Sequence, residues 1–294
     1  MIVCPICNKI LKISNYKYYC QECNKDYQIN DGITHFVSAP PKESFDPSFF
    51  EKLAGFEDDY FWFKNRREII IGWLNKYCSD VFKQNNKALE LGCGGGQNLS
   101  YFKQKGINVE GGDLFLEGLK RAKKRLPKTI LFQLDAMSLP FLEEYNLIGL
   151  FDVLEHIDDD LGVLREIYKA LKPKGAIMIT VPAGKYLYTR HDEVSFHKRR
   201  YSAQELSKKL SLAGFRVKRI SYFVFLLLPI VLISRYLLDK KYRAQRINGL
   251  LVQEFEISKM MNYIFFMISR IERYILKYFD LPAGASLIAI GYKE

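Results

Sequence analysis

A parallel, doubly wound α/β sheet, with a small metal-stabilised module in front of it, is the architecture this 294-residue sequence predicts. Three observations predict it. Short apolar runs alternate with helical patterns through the middle of the chain, which sets parallel strands side by side with helices on both faces. The first of these runs ends in a glycine-rich turn, "LELGCGGG". Two C-x-x-C pairs lie near the start of the chain, at a spacing that lets four thiolates converge on Zn²⁺.

Composition narrows the function classes. The chain is 48% hydrophobic and 26% charged, as globular proteins are, but its net charge is +11. Such an excess suits an anionic partner, either nucleic acid or an acidic membrane surface. The opening "MIVCPICNKI" lacks the apolar core of a secretion signal, so the six cysteines are expected to be reduced in a cytoplasmic setting.

The elements follow in order. Residues 1–38 read as a zinc ribbon held by Cys4, Cys7, Cys20 and Cys23, with too little core to fold alone. A structural zinc with four protein ligands has no open position for catalysis. Cys78 and Cys93 are left over and read as packing residues. Residues 39–80 read as a linker and a helical cap, in which "DDYFWFKNRREIIIGWL" packs through Phe61, Trp62 and Ile69. Residues 81–294 hold the sheet. Its first strand ends at Glu90, and Gly92, Gly94 and Gly96 let the backbone turn sharply against a ligand. A second strand ends at Asp113, about 20 residues on, where a carboxylate can hold both hydroxyls of a ribose. A third ends at Asp135, a fourth is "YNLIGLFDVLEHIDDD" and a fifth "KPKGAIMITVPA".

These motifs, in this order, resemble the class I S-adenosylmethionine (SAM) methyltransferases over roughly residues 50 to 294. The particular similarity is to the type 11 and type 12 families, which include quinone-biosynthesis enzymes. "LELGCGGG" matches their glycine signature, and "FDVLEHI" followed by "LKPKG" matches their fourth strand and the turn before the fifth. The resemblance implies a Rossmann-like sheet with an antiparallel last strand. It implies that Glu90, Gly92, Cys93, Gly94 and Gly96 lie along the methionine part of SAM. Asp113 and Leu114 would then hold the ribose, Asp135 and Ala136 the adenine, and Phe151 would line the site. Arg66 or Arg67 would meet the SAM carboxylate. The run "CPICNKIL…YYCQECNKDYQINDGITHFV" similarly resembles the zinc ribbon of the small partner protein that activates several tRNA and protein methyltransferases.

Methyl transfer needs alignment and, for a hydroxyl acceptor, removal of one proton. His156 follows the fourth strand and is a candidate base. "YTRHDEVSFHKRRYSAQEL" follows the fifth and supplies His191 and His197, with Arg199 and Arg200 to grip a phosphate or carboxylate. The same loop recurs in the families above as a wall of the acceptor pocket. Metal binding by His191 and His197 is disfavoured, because their i, i+6 spacing is no helical ligand pair.

Between "FRVKRIS", a sixth strand, and "ASLIAIGYKE", the returning seventh, lies an apolar insertion at about 222–280. As one helix, Tyr222–Leu238 would extend about 25 Å, short of a membrane span, and Pro229 would kink it. It reads either as internal core or as a hairpin dipping into one leaflet. Ten Lys/Arg against three Asp/Glu over 185–219 favour the second on an anionic bilayer. The expected function is SAM-dependent O- or C-methylation of a small-molecule, lipid-like, polyprenyl-linked or quinone-type acceptor, with the enzyme peripheral on the cytoplasmic membrane face. The alternatives are an RNA methyltransferase gripping RNA with its ribbon, and a non-catalytic SAM-fold scaffold. The ribbon's four lysines against three acidic residues argue against nucleic acid. The sequence does not define an oligomeric state.

Overall fold

The computed structural model describes residues 1–37, 55–83, 85–242 and 257–294, and the side chains of 238–242 are not described. The start of the expected linker and part of the basic stretch "RYLLDKKYRAQR" therefore lie outside the described residues.

In chain order, the ribbon forms β1 (Lys12–Ser14), β2 (Lys17–Cys20), β3 (Lys25–Asn30) and β4 (Ile33–His35). Helix α1 (Phe61–Tyr77) leads into β5 (Ala88–Leu91), α2 (Gln97–Gln104), β6 (Val109–Asp113), α3 (Leu116–Arg125) and β7 (Leu131–Gln133). Then come β8 (Tyr145–Phe151), α4 (Asp160–Ala170), β9 (Leu171–Pro182), α5 (Arg190–Val194) and α6 (Ala203–Leu212). The chain closes with β10 (Phe215–Phe223), α7 (Leu228–Tyr242), α8 (Lys259–Leu276) and β11 (Ser286–Lys293).

One sheet of eleven strands runs β1-β2-β3-β4-β7-β6-β5-β8-β9-β11-β10. Strands β7, β6, β5, β8 and β9 are parallel, and β11 is antiparallel to both of its neighbours. This is the expected doubly wound sheet. Its central strands are apolar on both faces because helices cover both, and all four residues of β5 are buried. Apolar clusters fill the two sides, one gathering Leu89, Ile148 and Leu164, the other Ile70, Leu99 and Ile288.

The ribbon is built into this sheet. β4 pairs in parallel with β7, Ile33 opposite Leu131 and His35 opposite Gln133. The Val3 amide donates to the Pro140 carbonyl (2.9 Å), and that of Phe36 to Gln133 (2.8 Å). The edge that β7 would otherwise present is thereby paired.

The apolar insertion departs from the single helix expected for Tyr222–Leu238. Tyr222 and Phe223 finish β10, Val224 turns with φ +61°, and the helix starts only at Leu228. Pro229 lies in that helix's first turn, where its missing N–H costs nothing, so it produces no kink. Buried Glu272 of α8 fixes the turn by accepting from the amides of Val224 (2.5 Å), Phe225 (2.7 Å) and Leu226 (2.9 Å). Helix α8 lies on α1: the rings of Phe61 and Phe265 are 5.3 Å apart. Asn262 accepts from the Phe61 amide (2.7 Å) and Arg273 donates to Asn65 (2.6 Å).

Candidate cofactor and acceptor site

In doubly wound sheets the ligand crevice lies outside the carboxyl ends of the strands where the strand order reverses, which makes the ends of β5, β6, β7 and β8 the candidate site. There β5 has β6 on one side and β8 on the other, the point at which the strand order reverses. Its two halves differ in chemistry.

In the cofactor half, Gly92 (φ +74°) follows β5, and a Cβ there would come within 2.3 Å of Val153. Gly94 (φ +49°) faces open space instead, so the backbone is free to approach a ligand at that position. Glu90 is buried and accepts from Asn98 Nδ2 (2.7 Å) through one oxygen, while the other has no partner. Burial pushes its pKa up to about 8, against the opposing influence of Asn98 and Arg66. Asp113 accepts from the amides of Gly94 (2.8 Å) and Phe115 (2.9 Å). Burial raises its pKa although these amides favour the anion. Asp135 accepts from Met137 N (2.9 Å), with half-buried Ala136 beside it, and the Ser138 hydroxyl donates to Pro5 of the first cysteine knuckle (3.0 Å). The ribbon thus supports the turn expected to read adenine. Half-buried Leu114 uses its carbonyl to accept from Gln133 (3.2 Å).

Two expected cofactor-lining residues turn their side chains elsewhere. A Cβ on Gly111 would lie 2.9 Å from Cys93 Sγ, so that thiol packs into β6 and is buried in the core. The Phe151 ring lies against Phe102 (5.7 Å between centroids). At both positions only the backbone is left to border the crevice.

The acceptor half begins at Asp152, a non-glycine residue with φ +59°, a strained conformation of the kind functional sites retain. Its carboxylate pairs with Arg66 and accepts from Thr180 Oγ1 (3.1 Å). Arg66 also stacks on Trp62 (4.6 Å), while Arg67 donates to Glu57 O (3.0 Å) and covers Tyr101. Of the two arginines, Arg66 is therefore the one at the crevice.

Next along the chain, Glu155 and His156 meet His197, which arrives from the loop after α5. The rings of His156 and His197 are 4.8 Å apart, and His197 Nε2 is 4.0 Å from Glu155 Oε1. Asp192 orients His197 through Nδ1 (2.9 Å). Asp192 is fully buried and also accepts from Arg200 Nε (2.8 Å), Arg235 Nη1 (2.7 Å) and the Thr189 amide (3.0 Å). Burial alone would raise its pKa, but His197 and the two arginines together hold it well below the usual carboxylate range. An ionised Asp192 only accepts, so Nδ1 of His197 carries a proton and Nε2 is the ring nitrogen that faces Glu155. Burial and the neighbouring His197 bring His156 down to about 4, so it is neutral at pH 7, with Nδ1 3.3 Å from the Phe196 carbonyl.

His191 is not in the group of ligand atoms that converge here. Nor are the arginines available to grip an acceptor. Arg200 is bound to Asp192, and Arg199 to Asp160 (3.0 Å) and the Asp158 carbonyl (3.0 Å). Sequence reading missed Glu155, whose only signal is a carboxylate adjacent to His156 at a strand end. It also missed Arg235, which the apolar run conceals, and it placed Asp192 in the loop without a role.

In the ribbon the Sγ atoms of Cys4, Cys7, Cys20 and Cys23 all lie within 4.8 Å of one another, Cys4–Cys23 at 3.9 Å and Cys7–Cys20 at 3.5 Å. Four Zn–S bonds of about 2.3 Å would set sulfurs roughly 3.8 Å apart, so the set fits tetrahedral zinc. The Tyr27 hydroxyl, 3.3 Å from Cys4 Sγ, is placed to donate to a thiolate.

Residues 62–220 match the family described as Methyltransferase domain. A "Probable S-adenosylmethionine-dependent methyltransferase" of Mycolicibacterium smegmatis is 25% identical over 169 residues, 56% of this chain and 63% of that one. The ubiquinone biosynthesis O-methyltransferase of Psychrobacter cryohalolentis is 28% identical over 102 residues, 32% of this chain and 40% of that one. The chain thus spans between two fifths and just under two thirds of the length of these curated relatives. Among solved structures, phosphoethanolamine N-methyltransferase 2 of Haemonchus contortus, in complex with S-adenosyl-L-methionine, shares the fold. It aligns with a TM-score of 0.56 at 15% identity, covering 86% of this chain and 58% of that one.

Proposed function

As the chain belongs to the Methyltransferase domain family through residues 62–220, we propose that it transfers a methyl group from SAM to an oxygen or carbon of a small, lipid-like acceptor of the polyprenyl-linked or quinone type. One observation carries the cofactor half of this reading. Glu90, the open turn at Gly94, Asp113 and Asp135 line one side of the crevice, and Glu90 keeps an unpartnered buried oxygen. The SAM ammonium would meet Glu90, the ribose hydroxyls Asp113, the adenine the Asp135–Ala136 turn, and the carboxylate Arg66.

Transfer to a hydroxyl forms an O–CH₃ bond as the C–S⁺ bond breaks, its electron pair passing to sulfur. The hydroxyl proton leaves to solvent on the acceptor side, past the Glu155–His156–His197 cluster. The chain aligns the two reactants for this displacement.

The acceptor class is supported by the surface beside the site and by the ubiquinone-pathway relative. Helix α7 exposes Ile230, Ile233 and Leu237, and α8 exposes Met260, Ile264 and Ile271 at helical spacing. No described helix is long and apolar enough to cross a membrane. Apolar faces of this length on a strongly basic chain suit shallow insertion into an anionic leaflet, where a greasy acceptor would be met. The cysteine cluster holds a structural zinc in this reading. Calorimetry should give saturable SAM binding, and Asp113→Ala should weaken it roughly ten- to a hundredfold. Labelled SAM with membrane-lipid extracts should mark a lipid product. Wild-type protein that binds NAD but not SAM would refute the proposal.

A further inference from the structure

Glu155 poses a problem that the reading above leaves unsolved. It is fully buried, and neither side-chain oxygen has a hydrogen-bond partner among the described residues. An uncompensated carboxylate in such a place costs several kcal/mol. Two imidazoles, those of His156 and His197, converge on it.

We propose that Glu155, His156 and His197 form a binding site for one divalent first-row transition ion at the acceptor end of the crevice, distinct from the cysteine cluster. Convergence is the first support: a Glu155 oxygen and one ring nitrogen of each histidine all lie within 4.8 Å of one another. Orientation is the second. Asp192 lies 2.9 Å from Nδ1 of His197, and the opposite ring nitrogen, Nε2, faces Glu155 at 4.0 Å. A carboxylate fixing a histidine from behind is how metal-ligating imidazoles are usually held. The third is fit. Ligand bonds of about 2.0–2.2 Å bring donor atoms to roughly 3–3.5 Å apart, so the 4.0 Å gap between Nε2 and Glu155 need close by only about half an ångström to an ångström.

Two nitrogens and one oxygen favour zinc, iron or manganese over calcium or magnesium. Three protein ligands leave positions open, unlike the four cysteines. This deepens the methyltransferase reading and rests on it for purpose: an acceptor oxygen bound at an open position would lose its proton to solvent more readily. The binding itself does not depend on that purpose.

The test is equilibrium dialysis of the full chain against micromolar zinc sulfate, followed by elemental analysis. Wild type should hold about two zinc ions per chain, one at each site. Glu155→Gln and His197→Asn should each hold about one, with the cysteine site still filled and thermal unfolding still cooperative. Should Glu155→Gln fail to fold, His156→Asn, altering a less buried residue, carries the same expectation. A wild-type ratio of one, or a ratio of two that survives in every folded variant, overturns the site. SAM calorimetry on the same samples separates the two claims. Two zinc ions without SAM binding would refute the methyltransferase reading and leave the metal site standing, and SAM binding with a single zinc would do the reverse.

Discussion

The N-terminal ribbon and the C-terminal insertion are both additions to one α/β sheet, and each braces a different half of the crevice by different means. The ribbon is joined by backbone. β4 extends the sheet at β7, Val3 bonds Pro140, and Pro5 holds Ser138 next to the Asp135 turn. The insertion is joined by side chains: Arg235 of α7 reaches Asp192 behind His197, and Glu272 of α8 holds the turn that begins α7. Backbone pairing accepts almost any side chain, whereas a buried ion pair depends on two particular residues. The first junction should therefore tolerate substitution and fail only when its module fails. The second should be sensitive to single changes.

The largest expected effect is on the ribbon. Cys20→Ser should abolish zinc binding at the cysteine site and unfold residues 1–37, a loss of order 5 kcal/mol or more. SAM affinity should fall with it, about tenfold, if the Asp135 turn that Pro5 supports holds the adenine. Calorimetry giving unchanged SAM affinity would mean the ribbon and sheet are energetically separate despite their shared strands.

Asp192→Asn comes next. It leaves the buried Arg200 and the partly buried Arg235 without their anion and should cost about 3–5 kcal/mol in chemical denaturation at pH 7. The folded-state pKa of Asp192 is depressed, so its contribution is present above the unfolded value near 4 and is lost as pH falls through the folded one. The gap between wild type and variant should hold from pH 7 to about pH 5 and shrink only below about pH 4. A gap that closed between pH 5 and 7 would assign the effect to His197 instead. SAM affinity should stay within about twofold, in contrast to Cys20→Ser.

Glu272→Ala should cost about 3 kcal/mol, since three amides, that of Val224 buried, lose their acceptor, and Glu272→Gln clearly less. Equal losses for both would mean the charge, not the acceptor oxygens, holds the turn. Smallest in stability is Ile233→Ser with Leu237→Ser on the exposed face of α7, expected within about 0.5 kcal/mol of wild type. The same double change should release the protein from anionic liposomes. Wild type that stays in the supernatant would leave α7 without a membrane role.

What could be read in advance follows from the range of the forces involved. The β5 turn, the acidic strand ends and the cysteine pairs are local patterns, and β5, β6, β7, β8 and β9 appear where those patterns place them. Pro229 was misread because its meaning depends on where the helix begins, and Glu272, nearly fifty residues away, helps set that point. Arg199 and Arg200 looked like acceptor grips because charge is visible in a sequence, whereas the buried aspartates that neutralise them are recognisable only in three dimensions. The Glu155–His156–His197 group is drawn from two segments that share no motif.

The pairing of β4 with β7 has a consequence for how the chain is made. Ile33 and Leu131 are about a hundred residues apart, so a ribosome has delivered the whole ribbon well before its strand partner emerges. During that interval the ribbon has only its own strand pairing, and whatever ion its four cysteines take up, to hold it together, with the β7-facing edge of β4 open. The ribbon is thus synthesised before the sheet it joins and docks only after β7 is made. A shortage of zinc during translation would leave two unpaired edges on one nascent chain, and neighbouring chains on the same message would be the nearest strands able to fill them.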